Sequence, residues 1–395
     1  MNKLILRRIG PIFKSCIIIS VLLILMYYFL VAYFVETQNY CPPTWPEHQT
    51  RDVRTLIKPN ENTYKIVPEK ICDNNDNNDY LLLIVITSAL NNFENRQAIR
   101  DSWGNLLKDR DSKVKIVFLV GEDDSTNSTS SQRVMMESNQ YQDVLQATFI
   151  DSYYNLTIKS VTMLKWFSET CKSQNFDYLM KVDDDTYINI HQLINLLIDN
   201  THKNFLTGYI QCGMLAQNEG KACLPPFMLT GYGKNYWLHK LIGFHWYPNY
   251  LAGPAYLMSK STADVLYKMA MAVPAFHMED VYITGMLSSM YNQNRHFQNA
   301  DLSIVPSIFQ EQLIYRNLDE IHPVGDERFN IDKIELDPCK YANLISSHDL
   351  NSTEMVQIHK LVTELKKTPN YAKSVCSGYV MKKRTKYCVW DLEIY

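Results

Sequence analysis

The chain has 395 residues and a formal net charge of −3, with 46% hydrophobic and 21% charged residues. This balance argues against a nucleic-acid partner, which would favour a basic excess, and it leaves enough apolar sequence for a large folded core. The 13 glycines form neither a Gly-x-Gly-x-x-Gly nor a Walker-type Gly-Lys-Ser/Thr sequence, so a phosphate-binding glycine loop is not expected.

The first predicted element is a membrane-spanning helix at residues 15–35. This stretch contains no charged side chain, and its length is close to the roughly 20 residues that such a helix needs. Basic residues precede it and Glu36 follows it. The positive-inside rule therefore predicts a cytosolic tail at 1–14 and a lumenal remainder. An uncleaved targeting sequence and a buried core helix are alternatives that fit the length less well.

The cysteines and the sequons support this orientation. Cys16 lies at the cytosolic edge of the predicted span, and the other eight cysteines would be lumenal, where up to four disulfides can form. Short loops favour the pairs Cys212–Cys223 and Cys376–Cys388, although spacing does not decide the pairing. Sequons that would accept N-linked glycans in a secretory compartment begin at Asn127, Asn155 and Asn351.

Residues 36–79 predict a stem, and residues 80–395 predict a catalytic domain. The stem segment is rich in Pro, Asn and Asp, a composition that favours an extended linker. From Tyr80 onward, predicted strands alternate with predicted helices. The strands are apolar runs at 81–86, 116–120, 144–150 and 178–182, and the helices carry apolar stripes from Ile158 to Phe167 and from Ile190 to Leu197. This alternation predicts an α/β fold with a mostly parallel sheet between helices.

Three aspartates, Asp183 to Asp185, directly follow the fourth predicted strand. Adjacent carboxylates repel one another unless a positive charge compensates them, and Mg²⁺ and Mn²⁺ prefer oxygen ligands. Nucleotides also bind at the carboxyl edge of α/β sheets. The pattern predicts a metal–nucleotide site, with a solvated surface turn as the alternative. An EF-hand is excluded, because Ile188 stands where the loop needs glycine.

Two further clusters have both a structural and a functional interpretation. Arg96 and Arg100 share one face of a predicted helix. Their spacing alone favours a surface helix with solvated arginines and Trp103 in the core, and the other interpretation is a nucleotide-binding edge. Glu279 and Asp280 precede a predicted helix, where they either cap it or supply a general base.

An aromatic segment at 246–256 also has two interpretations. Its aromatic side chains surround a predicted turn and either pack within the loop, which is favoured in isolation, or stack on the apolar faces of a sugar. The basic residues between Lys382 and Lys386 are most simply a solvated surface.

Six segments together carry a more specific signal than any of them alone. They are Arg96–Gly104, Phe118–Gly121, Asp151–Lys159, Lys181–Ile188, Tyr247–Gly253 and Glu279–Tyr282. In this order they resemble the β1,3-glycosyltransferases of glycosyltransferase family 31, the galactosyl- and N-acetylglucosaminyltransferases of the Golgi. The predicted span and stem resemble the type II layout of that family.

The resemblance implies a GT-A fold, an α/β Rossmann-like nucleotide-sugar-binding fold, with an N-terminal transmembrane helix in the Golgi membrane and a lumenal catalytic domain. It implies Mn²⁺, or another divalent cation, bound by Asp185 and His348, and Asp280 as the catalytic base. The partners would be a UDP-sugar donor and a glycan acceptor on a glycolipid or glycoprotein. By the same resemblance, Asp183 would lie against the ribose with Asp184 beside it.

The resemblance also implies two groups of binding residues. The donor side would include Arg96, Arg100, Trp103 and Lys234. The acceptor and sugar pocket would include Trp246, Tyr247, Tyr250, Gly253 and Glu279. The sequence departs from the family at Asn235, where a tryptophan is usual, and in a longer segment at 212–230, so the choice of substrate is less well defined than the reaction.

The implied reaction is inverting β1,3 transfer of a hexosyl group, with UDP-galactose as the first candidate donor. Transfer of N-acetylglucosamine or N-acetylgalactosamine is the alternative, since the same motifs serve all three. A catalytically silent lumenal binding protein or chaperone should have lost the acidic triplet or the base, and both are present.

Overall fold

The computed structural model describes residues 50–68, 71–72, 79–107, 112–123, 129–171, 175–199, 204–212, 247–297, 320–367, 376 and 385–386, together with Met26. Apart from Met26, they belong to one compact unit. Within these residues, no helix is long and apolar enough to cross a bilayer. The predicted tail and span, Asn127, Lys234, Trp246 and four of the cysteines (16, 41, 223 and 388) lie outside the described residues, Met26 excepted.

A nine-stranded mixed sheet forms the centre of this unit, in the order β1-β4-β3-β2-β5-β8-β7-β9-β12. The strands are β1 (Tyr64–Ile66), β2 (Asp79–Thr87), β3 (Val114–Glu122), β4 (Val144–Ile150), β5 (Asn175–Asp183), β7 (Leu206–Gln211), β8 (Tyr250–Ser259), β9 (Val324–Asp326) and β12 (Thr385–Lys386). A small second sheet contains β6 (Tyr187–Ile188), β10 (Phe329–Asn330) and β11 (Ser346–Ser347).

Helices follow most of these strands. They are α1 (Val53–Ile57), α2 (Phe93–Asp101), α3 (Thr129–Tyr141), α4 (Leu156–Lys165), α5 (Ile190–Ile198), α6 (Lys260–Ala270), α7 (Leu287–Phe297), α8 (Pro338–Asn343) and α9 (Ser352–Lys367). A wide π-helical turn, Val281–Met286, leads into α7. The four predicted strands and the two helices predicted from the apolar stripes at 158–167 and 190–197 are confirmed, and the α/β class with them.

The prediction of a mostly parallel sheet is wrong. Strands β2, β3, β4 and β5 pair in parallel, but β8 runs antiparallel to both β5 and β7. The apolar run of β2 fits its central position, since every residue from Leu82 to Ile86 is fully buried. The strand β8 was missed because its sequence combines aromatic and turn residues rather than a continuous aliphatic run.

The predicted stem is too long, because residues 50–66 belong to the folded unit. Val53 and Ile57 of α1 are buried, and β1 pairs with β4. The side chain of Lys165 holds the segment between them: its ammonium donates to the carbonyl oxygens of Ile57, Lys58 and Glu61 and to the hydroxyl of Thr63, at 2.7 to 3.0 Å. These tertiary contacts override the polar, proline-containing composition that predicted a linker.

The disulfides also differ from one sequence-based prediction. Cys72 pairs with Cys171, and Cys339 pairs with Cys376. The predicted pairing of Cys376 with Cys388 is therefore wrong, since proximity along the chain did not decide it. Cys212 is disulfide-bonded, but its predicted partner, Cys223, lies outside the described residues.

Candidate active site

The carboxyl ends of β2 and β5 meet at one edge of the central sheet. The two strands are parallel, and Thr87 is in register with Asp183. The Thr87 hydroxyl donates to Asp183 Oδ1 at 2.7 Å. The predicted convergence of the acidic triplet on the carboxyl edge of the sheet is confirmed, and the loops after these two strands shape the site.

Asp184 points into the protein rather than toward open space. Its side chain is buried and accepts hydrogen bonds from Ser88 Oγ at 2.5 Å, Asn92 Nδ2 at 3.0 Å and Asn95 Nδ2 at 3.3 Å. Burial raises the pKa of this carboxyl, while these hydrogen bonds oppose the increase. Asp184 therefore organises the loop after β2, and its side chain is already occupied by protein donors.

Asp183, Asp185 and His348 form the candidate metal centre. One potential ligand atom from each lies within 4.8 Å of those of the other two, and His348 Nε2 is 3.2 Å from Asp185 Oδ2. The pairing of β6 with β11 brings them together, because it places Tyr187 opposite Ser347. The sequence-based pair of Asp185 and His348 is thus adjacent in space, and Asp183 lies beside it.

The polar atoms of this centre fit a divalent cation. Asp185 Oδ1 is buried and has no hydrogen-bond partner among the described residues, which is costly for a carboxylate unless a cation compensates it. Two carboxylates and one imidazole are a suitable donor set for Mn²⁺ or a similar ion. Burial lowers the pKa of His348, but the hydrogen bond to Asp185 and its charge outweigh burial, so the pKa is raised overall.

Lys181 lies between the metal centre and the predicted base. Its ammonium is buried and donates to Asp183 Oδ1 at 2.6 Å and to the carbonyl oxygen of Gly253 at 2.7 Å. The same nitrogen is 3.8 Å from Glu279 Oε2. Burial lowers the pKa of Lys181, but Asp183 and Glu279 raise it by more, so the side chain remains charged at neutral pH.

The two acids at the start of the α7 region have different environments. Glu279 is buried, and its Oε1 accepts from the Tyr256 hydroxyl at 2.5 Å. Asp280 is partly exposed and accepts from the backbone N–H groups of Val281 at 2.8 Å and Gly253 at 3.2 Å. Burial raises the pKa of both carboxyls, and nearby Lys181 opposes this increase. Asp280 is therefore the acid of the pair that a substrate can reach, whereas Glu279 supports it from beneath.

Arg96 and Arg100 are buried, so their interpretation as solvated residues is wrong. Their side chains are 0% and 2% exposed. Arg96 binds Glu137 at 2.7 Å, and Arg100 binds both Glu137 at 2.7 Å and Asp143 at 2.8 Å. Trp103 is fully buried, as the core interpretation predicted.

Direct contact of these three side chains with a nucleotide does not agree with their burial. Arg96 reaches the site indirectly, since its Nη1 donates to the hydroxyl of Ser88 at 2.9 Å, and that hydroxyl donates to Asp184. The Arg96 guanidinium therefore supports Ser88, a donor to Asp184, from the interior of the protein.

The aromatic turn agrees better with loop packing than with an open platform for sugars. Tyr247 and Tyr250 are buried. Their rings meet edge to face at 6.4 Å between centroids, and Tyr247 also packs against Phe276 at 5.9 Å. Gly253 is different, because a Cβ added there would lie 3.6 Å from Glu279 Oε2 and 3.7 Å from Asp280 Oδ2. A methyl group at this position would therefore make ordinary van der Waals contacts with both acids.

Sequence reasoning missed the buried groups that connect the motifs. Lys181 begins one of the six segments that resemble the family, but the sequence predicts no role for it. A lysine inside an apolar strand is nevertheless a signal in itself. Lys159 is a second case, since it donates to Asp151 at 2.6 Å and to the carbonyl oxygen of Ser88 at 2.8 Å. Ser88, Asn92 and Asn95 gave no signal in one sequence, because small polar residues in a loop are common.

The chain matches the sequence profile of the family described as Galactosyltransferase over residues 94–297, just over half of its length. It is 26% identical over 281 residues to Beta-1,3-galactosyltransferase 2 of Homo sapiens and 27% identical over 281 residues to Beta-1,3-galactosyltransferase 1 of Mus musculus. Each alignment covers 70% of this chain, with 57% of the human protein and 72% of the mouse protein. The chain thus matches less than two thirds of the human relative's length.

Among solved structures, the apo WbbM bifunctional glycosyltransferase aligns with 53% of this chain and 37% of its own, at 13% identity and a TM-score of 0.32. A score this low has no bearing on the fold.

Proposed function

The chain belongs to the galactosyltransferase family, and on that premise we propose that it transfers a hexosyl group from a UDP-sugar to a glycan hydroxyl in β1,3 linkage, with inversion. UDP-galactose is the proposed donor, because the relatives that align are named β1,3-galactosyltransferases. The observation that carries the proposal is a chain of hydrogen bonds between the candidate metal centre and the proposed base. Lys181 donates to Asp183 and to the carbonyl oxygen of Gly253, and the N–H of Gly253 donates to Asp280.

The metal centre would serve the leaving group. A divalent cation, with Mn²⁺ as the proposed ion, would be held by Asp183, Asp185 and His348 and would neutralise the negative charge that develops on UDP. The chain's own contribution is to keep these ligands in place. Thr87 and Lys181 hold Asp183, and the backbone N–H of Leu350 donates to the carbonyl oxygen of Asp185 at 3.0 Å.

Asp280 would accept the proton of the acceptor hydroxyl as that oxygen attacks the anomeric carbon. Two backbone N–H groups orient the carboxylate, and general-base catalysis of this kind contributes roughly 10²- to 10⁴-fold. A single displacement on an α-linked donor inverts the centre and gives a β linkage. Glu279 is buried against Tyr256, which leaves Asp280 as the partly exposed acid of the pair and fits a mechanism without a covalent intermediate.

Activity should then depend on the pH in a defined direction. Because burial raises the pKa of Asp280, the base becomes protonated at a higher pH than an exposed aspartate would. We expect the rate of transfer to fall as the pH decreases through that raised value. Measurement of kcat/KM against pH at saturating Mn²⁺ checks this expectation, and a rate that rises toward acidic pH would exclude a carboxylate base.

We also propose the finer features that the family resemblance implies. The described unit would be a GT-A domain, the protein would be a single-pass type II protein of the Golgi membrane, and the acceptor would be a glycolipid or glycoprotein glycan. Trp246 and Lys234 would contribute to the sugar and donor pockets, and Asn127, Asn155 and Asn351 would carry N-linked glycans.

A donor screen tests the main proposal. The full-length protein is supplied with Mn²⁺, with each UDP-sugar separately, and with a panel of galactose-, glucose-, N-acetylglucosamine- and N-acetylgalactosamine-terminated acceptors, followed by linkage analysis of the products. We expect a β1,3-galactosylated product that disappears with EDTA and returns with Mn²⁺.

The other outcomes of the screen separate the alternatives. Preference for UDP-N-acetylglucosamine or UDP-N-acetylgalactosamine would move the chain to the alternative transferases. Metal-independent transfer would refute the role of the metal centre. No transfer with any donor would favour a silent lumenal binding protein or chaperone.

A further inference from the structure

Lys181 occupies an unusual place for a lysine. It lies within the paired part of β5 and β8, opposite Tyr256 and one pair from the end, and only 4% of it is exposed. Lysine is almost never buried without partners. Its ammonium has two short hydrogen bonds, to Asp183 Oδ1 and to the Gly253 carbonyl oxygen, and it lies near the buried carboxylate of Glu279.

Gly253 relays this contact to the base. Its carbonyl oxygen accepts from Lys181 at 2.7 Å, and its N–H donates to Asp280 Oδ2 at 3.2 Å. Displacement of the Lys181 ammonium would therefore move the residue that orients Asp280. Among the described residues, the titratable groups that face Asp280 are Lys181 from β5, Tyr250 from β8 and the neighbouring Glu279. Lys181 is the cation among these three groups.

We propose that Lys181 is a positioning residue that holds Asp280 in place through Gly253 and places a buried positive charge near it. The inference rests on the proposed transfer reaction, in which Asp280 is the base. It adds a second role to a side chain that also holds the metal ligand Asp183, so the metal centre and the base share one buried cation.

Another buried lysine shows what a purely structural role looks like. Lys165 is 0% exposed, and its ammonium donates to three carbonyl oxygens and one hydroxyl of the segment 57–63. None of these acceptors is a carboxylate. Substitution of Lys165 should therefore change the stability of the fold without changing the protonation of a catalytic acid.

Three substitutions at position 181 separate the hydrogen bond from the charge. Lys181→Arg keeps the charge but changes the reach, Lys181→Gln keeps a donor without the charge, and Lys181→Met keeps neither. For each variant, kcat and the acceptor KM are measured from pH 5 to 9 at saturating Mn²⁺ and UDP-galactose, and the Kd for UDP with Mn²⁺ is measured over the same range. Lys165→Met is the matched control.

The acidic limb is the pH range in which kcat falls as the base becomes protonated. We expect the two uncharged variants, Lys181→Gln and Lys181→Met, to move this limb upward by about one pH unit, since loss of an opposite charge raises a carboxyl pKa by about that amount or more. Lys181→Arg should keep the wild-type limb while kcat falls about ten- to a hundredfold, because a small misplacement of the base is costly. Lys165→Met should lower the Tm and leave the limb where it is.

An equal loss of kcat at every pH in the folded neutral variants, with no shift of the limb, would overturn the proposal. If the neutral variants do not fold, Lys181→Arg decides: a wild-type kcat would overturn the positioning role, and a shifted limb would overturn the charge role. A shift that the pH dependence of UDP binding explains in full would assign the effect to the metal centre and overturn the proposal too. Failure of the proposed function would look different, since the wild-type protein itself would transfer no sugar.

Discussion

Two groups of buried charges in this protein differ in whether their positive and negative side chains are equal in number. The arginine cluster behind the site pairs Arg96 and Arg100 with Glu137 and Asp143, so two cations meet two carboxylates. The carboxylate edge contains Asp183, Glu279 and Asp280 near the ammonium of Lys181, with Asp185 beside His348, and the described residues place no second lysine among these acids. A balanced cluster needs nothing more and stabilises the fold, whereas an unbalanced one leaves room for a cation and a proton.

The largest expected effect is at the unbalanced edge. Asp280→Asn removes the proposed base but keeps the size of the side chain, so transfer should fall by at least roughly 10²- to 10⁴-fold, while Mn²⁺-dependent UDP binding persists. Measurements of kcat and of UDP affinity check both halves. Asp143→Asn, the same change in the arginine cluster, is the control and should lower the Tm without abolishing transfer. Near-wild-type transfer by Asp280→Asn would place the base elsewhere.

A substitution in the arginine cluster should lower the stability of the fold. Arg100→Met leaves Asp143 and part of Glu137 without their cation, and loss of one partner of a buried pair costs about 3–5 kcal/mol. Chemical denaturation measures this loss, and well below the Tm the donor KM should stay within about twofold of wild type. An unchanged Tm with a strongly raised donor KM would instead return Arg100 to the nucleotide site that the family resemblance implies.

The metal centre should show an intermediate effect. Asp185→Ala removes a proposed ligand whose second oxygen is buried without a partner among the described residues, so Mn²⁺-dependent UDP affinity should fall by at least roughly 10- to 100-fold, the range seen even for groups that only support a ligand. Titration calorimetry with and without Mn²⁺ measures this difference. Asp326→Ala, which removes a carboxylate paired with Arg328, should leave the affinity unchanged, and equal losses in both variants would count against the assignment of Asp185.

Two glycines give the smallest expected effects. A Cβ at Gly121 would lie 2.7 Å from the carbonyl oxygen of Phe149 and 2.9 Å from Asp151 Cβ, so Gly121→Ala should destabilise the fold by about 1–3 kcal/mol. At Gly253 the added methyl group meets only ordinary contacts. Gly253→Ala should keep its Tm and lower kcat/KM for the acceptor by only a few-fold; a large loss of stability would show that the added methyl group clashes with Glu279 or Asp280.

The sequence predicted the parts of the site that depend on local pattern. The strand before Asp183 is a continuous apolar run, and the helices after it have clear periodicity, so both the elements and the position of the triplet were predictable. Asp185 and His348 were predicted together only through the family resemblance, since 162 residues separate them and no spacing rule connects them.

What could not be predicted depends on burial and on long-range pairing. Arg96 and Arg100 suggested a solvated face because their carboxylate partners come from other segments, more than 35 residues further along the chain. The antiparallel strand β8 brings Gly253 next to Lys181, and a wrong assumption of a mostly parallel sheet concealed this contact. Asp184 was assigned to the donor because one sequence does not reveal which of three adjacent carboxylates turns inward.

The segment that Lys165 holds has a consequence for limited proteolysis of the chain. A protease that cleaved ahead of residue 50 would free a body with β1, α1 and the Cys72–Cys171 disulfide intact. Cleavage between Ile66 and Tyr80 would instead separate strand β1 from the body, so that it would be held only by non-covalent contacts and, if the cut fell after Cys72, by the disulfide. A shortened chain that keeps this fold should therefore begin before α1 and not at the sheet's central strands.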